Sequence, residues 1–332
     1  MEWIAKTLEK IVPELRIFKR HLLLDNPIYR CVFLIQSTIL RAARDFLYRK
    51  GFIELIAPVI APVTDPGIRL ANVFTVDFYE EKAVLVTSAI LYKFAGLLVH
   101  DKIYYIAHNI RLEPIDPRIF DRTLAEFRQI DIEVAHATRE DIMRLSEDLL
   151  IHIIERVKKE NDEELALLER ELKVPKKPFK VLSFEEAVSI AKEGGYGLDP
   201  SGELSREAEI YISKLHKEPV WIVDYPAKVR GFYYRKKDDE RLLDMDLLYP
   251  QGFGEAASGG EREVDPLKVR ERMLETGVNP GKYLWLFELL HKGVPPCAGI
   301  GFGLERLTRF ITGMSDIIDV VPFPKTPGYL GI

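Results

Sequence analysis

The sequence predicts an α+β domain, and three observations lead there. Apolar residues recur at helical spacing from Val32 to Leu47 and again from Ile142 to Ile153, which makes two long amphipathic helices. Residues 103–111 and 127–135 read as strands, the second with a clear period of two. Near the C-terminus an apolar strand runs through Gly301 and Gly303 straight into a helix.

At the N-terminus, Ile4, Leu8 and Ile11 alternate with Glu and Lys, so residues 1–25 read as a short helical extension. The main domain is expected over residues 26–332. Asn26-Pro27 starts its first helix, since asparagine caps and proline fits the first turn, and Gly51 stops it. Pro58 and Pro62 keep the apolar segment 52–63 out of a central strand, because proline cannot donate to a ladder, so an edge or an interface is expected there. In 127–135, Ile130, Ile132 and Val134 share one face, and Phe127, Gln129, Asp131 and Glu133 share the other. That second face suits either solvent or a site. Thr138 with Asp141 forms a capping-box start for a helix reaching about Lys159. Residues 161–236 read as an insertion with helices near 184–192 and 205–215 and a strand at 220–223, and they carry no assigned chemistry. Strands and loops follow around 242–250, then a glycine-rich turn at Ser258-Gly259-Gly260, a helix at 266–275 and the closing segment 299–313.

Composition narrows the class. With 332 residues, 47% hydrophobic and 30% charged, the chain fits a folded domain with a sizeable core and has no apolar run long enough to span a bilayer. The N-terminus lacks the apolar core and cleavage site of a signal peptide. Two distant cysteines, Cys31 and Cys297, make neither a disulfide framework nor a zinc site, so a reducing, cytoplasmic setting is expected. A net charge of −5 gives no overall attraction for a polyanion. Glutamine occurs only at Gln36, Gln129 and Gln251 among abundant charged residues, a bias of proteins from hot environments.

The chemistry is carried by spaced motifs. Gly301-Phe302-Gly303-Leu304-Glu305-Arg306 has the form G-x-G-x-x-R, where glycine admits a nucleotide to the backbone and arginine offers a forked donor to phosphate. By itself the pattern is more often a turn or close packing. Arg111-Leu112-Glu113, then a loop, then Glu126-Phe127-Arg128-Gln129-Ile130-Asp131 could set an arginine beside an aromatic ring. Together these segments resemble motifs 2 and 3 of class II aminoacyl-tRNA synthetases, and Lys50-Gly51-Phe52 through Pro58 resembles motif 1, the dimer-interface element.

Within that class the resemblance is to the aspartyl/asparaginyl branch, through Thr87-Ser88-Ala89-Ile90-Leu91-Tyr92-Lys93 and Glu255-Ala256-Ala257-Ser258-Gly259-Gly260-Glu261-Arg262. The resemblance implies a class II antiparallel sheet flanked by helices, a homodimer, and adenylation of an amino acid by ATP with Mg²⁺. It places Arg111 and Arg306 as catalytic residues, with Glu113, Phe127 and Glu255 joining them at ATP. Ser88, Lys93, Gln129, Asp131 and Arg262 would meet the amino acid, Lys93 and Arg262 taking a carboxylate and Asp131 an ammonium. Asp246, Glu255 and Ser258 would hold the metal, as oxygen donors suit a hard cation.

Three positions depart from the synthetase pattern: Ile90 stands for a glutamine, Cys297 for a histidine, and Thr123 for the histidine that meets the γ-phosphate, with Arg118 or Arg122 as its replacement. Only about 25 residues precede the matching region, too few for the anticodon-binding OB domain of this branch. With Gly259-Gly260-Glu261-Arg262-Glu263, these features resemble the archaeal asparagine synthetase-related proteins. That resemblance implies that aspartate is adenylated on its side chain and attacked by ammonia to give asparagine, AMP and pyrophosphate, with tRNA not expected as a partner. A tRNA ligase for aspartate or asparagine, and a silent amino-acid or nucleotide-binding paralogue, stay open beside it.

Overall fold

The computed structural model describes residues 13–66, 72–115 and 122–331. In chain order its elements begin with α1 (Pro13–Phe18), α2 (Pro27–Arg49), β1 (Ile53–Glu54), β2 (Ile60–Ala61), β3 (Thr75–Phe78), β4 (Glu81–Leu85), α3 (Ile90–Gly96), β5 (Lys102–Ile110) and β6 (Glu126–Ala135). The middle holds α4 (Arg139–Glu160), α5 (Asp162–Leu167), β7 (Lys180–Ser183), α6 (Phe184–Glu193), α7 (Arg206–Leu215) and β8 (Val220–Val223). The last part holds β9 (Asp244–Tyr249), β10 (Gly254–Glu261), α8 (Pro266–Glu275), α9 (Leu284–Gly293), β11 (Cys297–Gly303), α10 (Leu304–Thr312), β12 (Lys325–Thr326) and β13 (Tyr329–Leu330).

Eight strands form one sheet in the order β1-β5-β6-β11-β10-β9-β8-β7. From β5 to β8 every neighbour is antiparallel, and parallel pairing is confined to the edge pairs β1 with β5 and β7 with β8. This is the mixed, mainly antiparallel sheet flanked by helices that the motifs imply.

The helix boundaries follow from caps. Asn26 accepts a hydrogen bond from the Ile28 amide at the start of α2, and Thr138 and Asp141 close a reciprocal capping box at the start of α4. One face of α2, with Val32, Ile35, Ile39, Ala43 and Leu47, packs on the sheet together with α4 and α10. Against it lie Ile130 and Ile132 of β6 and Ala298, Ile300 and Phe302 of β11. Fully burying aliphatic side chains of this kind contributes about 1.5–3 kcal/mol each. The opposite side of the sheet, covered by α3, α8 and α9, is where β6 turns its polar face.

The proline-bearing segment behaves as its backbone chemistry requires, giving a two-residue strand at the sheet edge and another in a separate three-stranded sheet. One expectation is corrected. Ser258-Gly259-Gly260 is not a turn but part of β10, in register with both β9 and β11. Its glycines reflect crowding, since a Cβ on Gly259 would lie 2.3 Å from the Gly299 carbonyl oxygen.

Of the N-terminal extension, residues 1–12 lie outside the described residues. Beyond them, Arg20 is fully buried and donates to the Ile318 carbonyl at 2.8 Å, tying residues 13–25 to the C-terminal part of the fold. Among the described residues no helix is long and apolar enough to cross a membrane.

Candidate active site

On the covered side of the sheet lies a cavity of about 590 Å³, lined by every residue that the resemblance assigns to ATP, the amino acid or the metal: Ser88, Lys93, Arg111, Glu113, Phe127, Gln129, Asp131, Asp246, Glu255, Ser258, Arg262 and Arg306. The sheet register explains the gathering. Asp246, Ser258, Gly301, Asp131 and Tyr105 stand directly opposite one another across β9, β10, β11, β6 and β5, so they form one row. Strands are about 4.8 Å apart, which puts about 14 Å between the Asp246 and Asp131 backbones.

The glycines of β11 have a purpose the sequence did not show. Gly299 faces Glu133 and Gly301 faces Asp131. A Cβ at Gly299 would lie 2.1 Å from a Glu133 oxygen, and one at Gly301 would lie 2.8 Å from Asp131 Oδ1. These glycines therefore make room for two carboxylates of the neighbouring strand. Gly303, whose Cβ would meet nothing nearer than Arg306 at 3.7 Å, has the open approach expected beside a ligand.

At one end, four charges are buried together. Lys93 Nζ lies 2.9 Å from Asp131 and 3.3 Å from Glu133, and Arg262 donates to Glu133 through Nε at 2.9 Å and Nη2 at 3.1 Å. All four are nearly sealed from solvent. Burial alone would raise the Glu133 pKa, but Arg262 and then Lys93 outweigh it and hold the carboxyl below its usual range. Two atoms have no partner among the described residues, Arg262 Nη1 and Asp131 Oδ2, one a donor and the other an acceptor. Lys93 is thus not a solvated helix residue, and Arg262 pairs with Glu133 rather than with Glu255 at the surface.

Toward the N-terminal end of β6 the chemistry changes. The Arg111 guanidinium lies 4.9 Å from the centroid of the Phe127 ring, and its Nε donates to the Thr87 carbonyl at 3.0 Å. Arg306, at the first turn of α10, is 2.9 Å from Glu255. Gln129 accepts from the Asn109 amide, and Ser88 accepts from the Ile90 amide at 3.2 Å.

The proposed metal trio supplies oxygen only, which suits a hard cation, yet arginines already engage it. Arg230 binds both oxygens of Asp246 and donates to Ser258 at 3.2 Å, while Glu255 pairs with Arg306. A divalent ion would have to displace Arg230 from Asp246 and Ser258. Arg230 also faces Glu203 at 3.0 Å and Asp244 at 3.5 Å, and burial, with Arg230 opposing and Asp246 reinforcing, pushes the Asp244 carboxyl up to about 7.

The departures are resolved in part. Ile90 and Cys297 are buried in the same apolar cluster, and burial and then the Glu133 carboxylate raise the Cys297 thiol. Arg118 lies outside the described residues. Thr123 accepts from Arg206 Nη1 at 2.6 Å. Residues 161–236, given no chemistry from sequence, thus contribute Glu203, Arg206 and Arg230 to the cavity wall. Nothing in the local sequence marks Arg206 or Arg230, as isolated arginines look like surface residues. Glu133 was legible, standing two residues from Asp131 on the same strand face.

Comparison with known proteins identifies the family. The family described as tRNA synthetases class II (D, K and N) matches residues 12–327. An asparagine–tRNA ligase of Sorangium cellulosum is 36% identical over 324 residues, covering 92% of this chain and 71% of that protein. An aspartate–tRNA(Asp/Asn) ligase of Methanopyrus kandleri is 35% identical over 299 residues, covering 89% and 68%. The crystal structure of asparaginyl-tRNA synthetase from Pyrococcus horikoshii complexed with asparaginyl-adenylate superposes with a TM-score of 0.91 at 28% identity, covering 98% of this chain and 75% of that one. These relatives are tRNA ligases. They overturn the expectation that tRNA is not a partner, and they lend no support to ammonia as the acceptor or to the asparagine synthetase-related resemblance.

Proposed function

This chain belongs to the class II tRNA synthetases of the D, K and N group, and from that premise we propose that it activates aspartate or asparagine with ATP as an aminoacyl-adenylate and transfers it to tRNA. The observation that carries the proposal is the juxtaposition in one cavity of the Lys93, Asp131, Glu133 and Arg262 cluster with Arg111 on Phe127 and with Arg306.

The cluster is the amino-acid end. Arg262 Nη1 is free to donate to a substrate oxygen and Asp131 Oδ2 to accept from a substrate N–H, and leaving either unmet in a buried site costs about 1–3 kcal/mol. Lys93 adds charge for a carboxylate, while Glu133 holds Arg262 in place through two bonds. Ser88 and Gln129 complete the wall. Adenine would stack in the Phe127 region, with Glu113 beside it. Arg111 and Arg306 would face the phosphates.

A substrate carboxylate oxygen attacks the α-phosphorus, the bond to the bridging oxygen breaks, and pyrophosphate leaves with the electron pair. Arg111 and Arg306 stabilise charge on the phosphoryl oxygens as it builds, the largest contribution expected of a preorganised site. Magnesium, held by Glu255 and by Asp246 and Ser258 once Arg230 yields, would add neutralisation of the phosphates. A ribose hydroxyl of tRNA then attacks the acyl carbon and AMP departs.

A homodimer is part of the proposal. Ile56, between β1 and β2, is 96% exposed, and Val59 and Ile60 close to it in the chain are exposed as well, apolar surface of the kind partners cover.

Pyrophosphate exchange into ATP, dependent on aspartate or asparagine, tests the first half-reaction. Lys93→Ala should cut the exchange by at least about a hundredfold, as expected when a buried charge contact is lost. An unchanged rate would sink the assignment.

A further inference from the structure

We propose that Arg206, carried into the cavity by helix α7 and anchored on Thr123, forms with Arg122 the seat for the departing end of the triphosphate, the part that leaves as pyrophosphate. This rests on the adenylation reading above and adds to it a residue from a segment to which the sequence assigned no chemistry.

The placement comes first. Along β6 the side chains facing the cavity run from Asp131 through Gln129 to Phe127, and the chain before the strand carries Thr123 and Arg122. Four residues of extended chain separate Asp131 from Phe127, about 13 Å. The Arg122 and Arg206 pair therefore lies beyond the Arg111 and Phe127 station, on the far side from the amino-acid end. A nucleotide whose α-phosphate sits at Arg111 has its remaining phosphates to place, and this end holds the cations.

The seat is built rather than incidental. Arg122 is 4% exposed, and its Nε and Nη1 have no acceptor among the described residues. Glu209 of α7 stands 3.7 Å from its Nη2. Gly254 makes room for it at a φ of +69°, where a Cβ would come within 2.4 Å of Nη2. Arg206 is half-buried, and the carboxylates that act on it, Glu209, Glu113 and Glu255, are outweighed by burial and by Arg306. One of its N–H groups goes to the Thr123 hydroxyl at 2.6 Å, which fixes the guanidinium and leaves other donors for a ligand. Burial, followed by repulsion from Arg306, lowers the Arg206 pKa, and Arg122 is pulled down to about 10 by burial first. Guanidinium groups gathered in this way are relieved by a polyanion.

Thr123 has no charge and cannot itself neutralise a phosphate. Its part is positional: the hydroxyl orients Arg206, which supplies the charge.

The test compares ATP, pyrophosphate and AMP on the full-length protein. Arg206→Gln should weaken ATP and pyrophosphate binding by about tenfold or more, the loss of one charge-assisted contact. AMP affinity and the amino-acid KM should stay within about twofold, since AMP lacks the two phosphates concerned. Arg206→Lys should recover part of the loss, and Thr123→Val should show a smaller loss of the same pattern. Equal weakening of ATP and AMP, or ATP binding by Arg206→Gln as tight as in the wild type, would overturn the proposal. Failure of the wild-type protein to bind ATP would appear in the wild-type arm alone and would remove the adenylation reading together with it.

Discussion

Replacing Glu133 by glutamine keeps the shape and removes one charge from the buried cluster. In the wild type Glu133 accepts bonds of 2.9 and 3.1 Å from Arg262 and stands 3.3 Å from Lys93, so two cations face two carboxylates. In Glu133→Gln the two cations face Asp131 alone. Breaking a buried pair from one side costs about 3–5 kcal/mol, and the amide oxygen can still accept one bond, so about 3 kcal/mol of stability should be lost. With a urea slope of about 3 kcal/mol/M for a chain this long, the midpoint should fall by about 1 M. The effect depends on pH with a definite sign. The folded-state pKa of Glu133 is depressed, so its contribution is present above the unfolded carboxyl value and fades as pH falls through the folded value. The deficit of the mutant should therefore shrink in acid. In an Arg262→Met background the same change should cost far less, because the pair is already broken. A urea midpoint within about 0.2 M of wild type, together with an unchanged amino-acid KM, would refute the reasoning.

Glu305 is buried, accepts from the Arg128 amide with both oxygens, and is pushed by burial up to about 7. Its folded pKa lies above the unfolded one, so its contribution is full below the unfolded value and is lost as pH rises through about 7. Glu305→Gln should thus gain on the wild type between pH 5 and 8 in urea melts, and an equal difference at both pH values would count against it. Arg230→Met leaves Glu203, Asp244 and Asp246 without their shared cation. It should lower stability by about 3–5 kcal/mol at low Mg²⁺ and regain part of it as Mg²⁺ is added; a deficit insensitive to Mg²⁺ would exclude a metal at Asp246. Ile56→Asp should convert the dimer to monomer in sedimentation equilibrium, and a monomeric wild type or a dimeric mutant would remove that segment from the interface.

Much of the fold was legible because local chemistry and long-range packing agree. Asn26 and Thr138 announce α2 and α4 by caps that the structure contains, and the period of two in β6 sorted the core isoleucines from Asp131 and Glu133 before any contact was known. The candidate site was legible where residues are bound to such elements, as with Lys93 on α3 and Arg306 on α10, both of which line the cavity. It was not legible where tertiary packing alone decides. Ser258-Gly259-Gly260 has the composition of a turn and is a strand because neighbouring backbones crowd it. The helix that carries Arg206 was legible, but that Arg206 and Arg230 reach the cavity depends on how residues 161–236 pack, which local sequence does not reveal. Low net charge likewise misled on tRNA, because a summed charge of −5 says nothing about where the positive side chains lie.

The central claim is tested most directly by supplying the protein with ATP, Mg²⁺, ammonium and labelled aspartate or asparagine, with and without tRNA, and following where the label goes. The expected result is AMP formation with label esterified to tRNA and no free asparagine made from aspartate. Free asparagine produced from aspartate without tRNA, or no AMP under any condition, would contradict it.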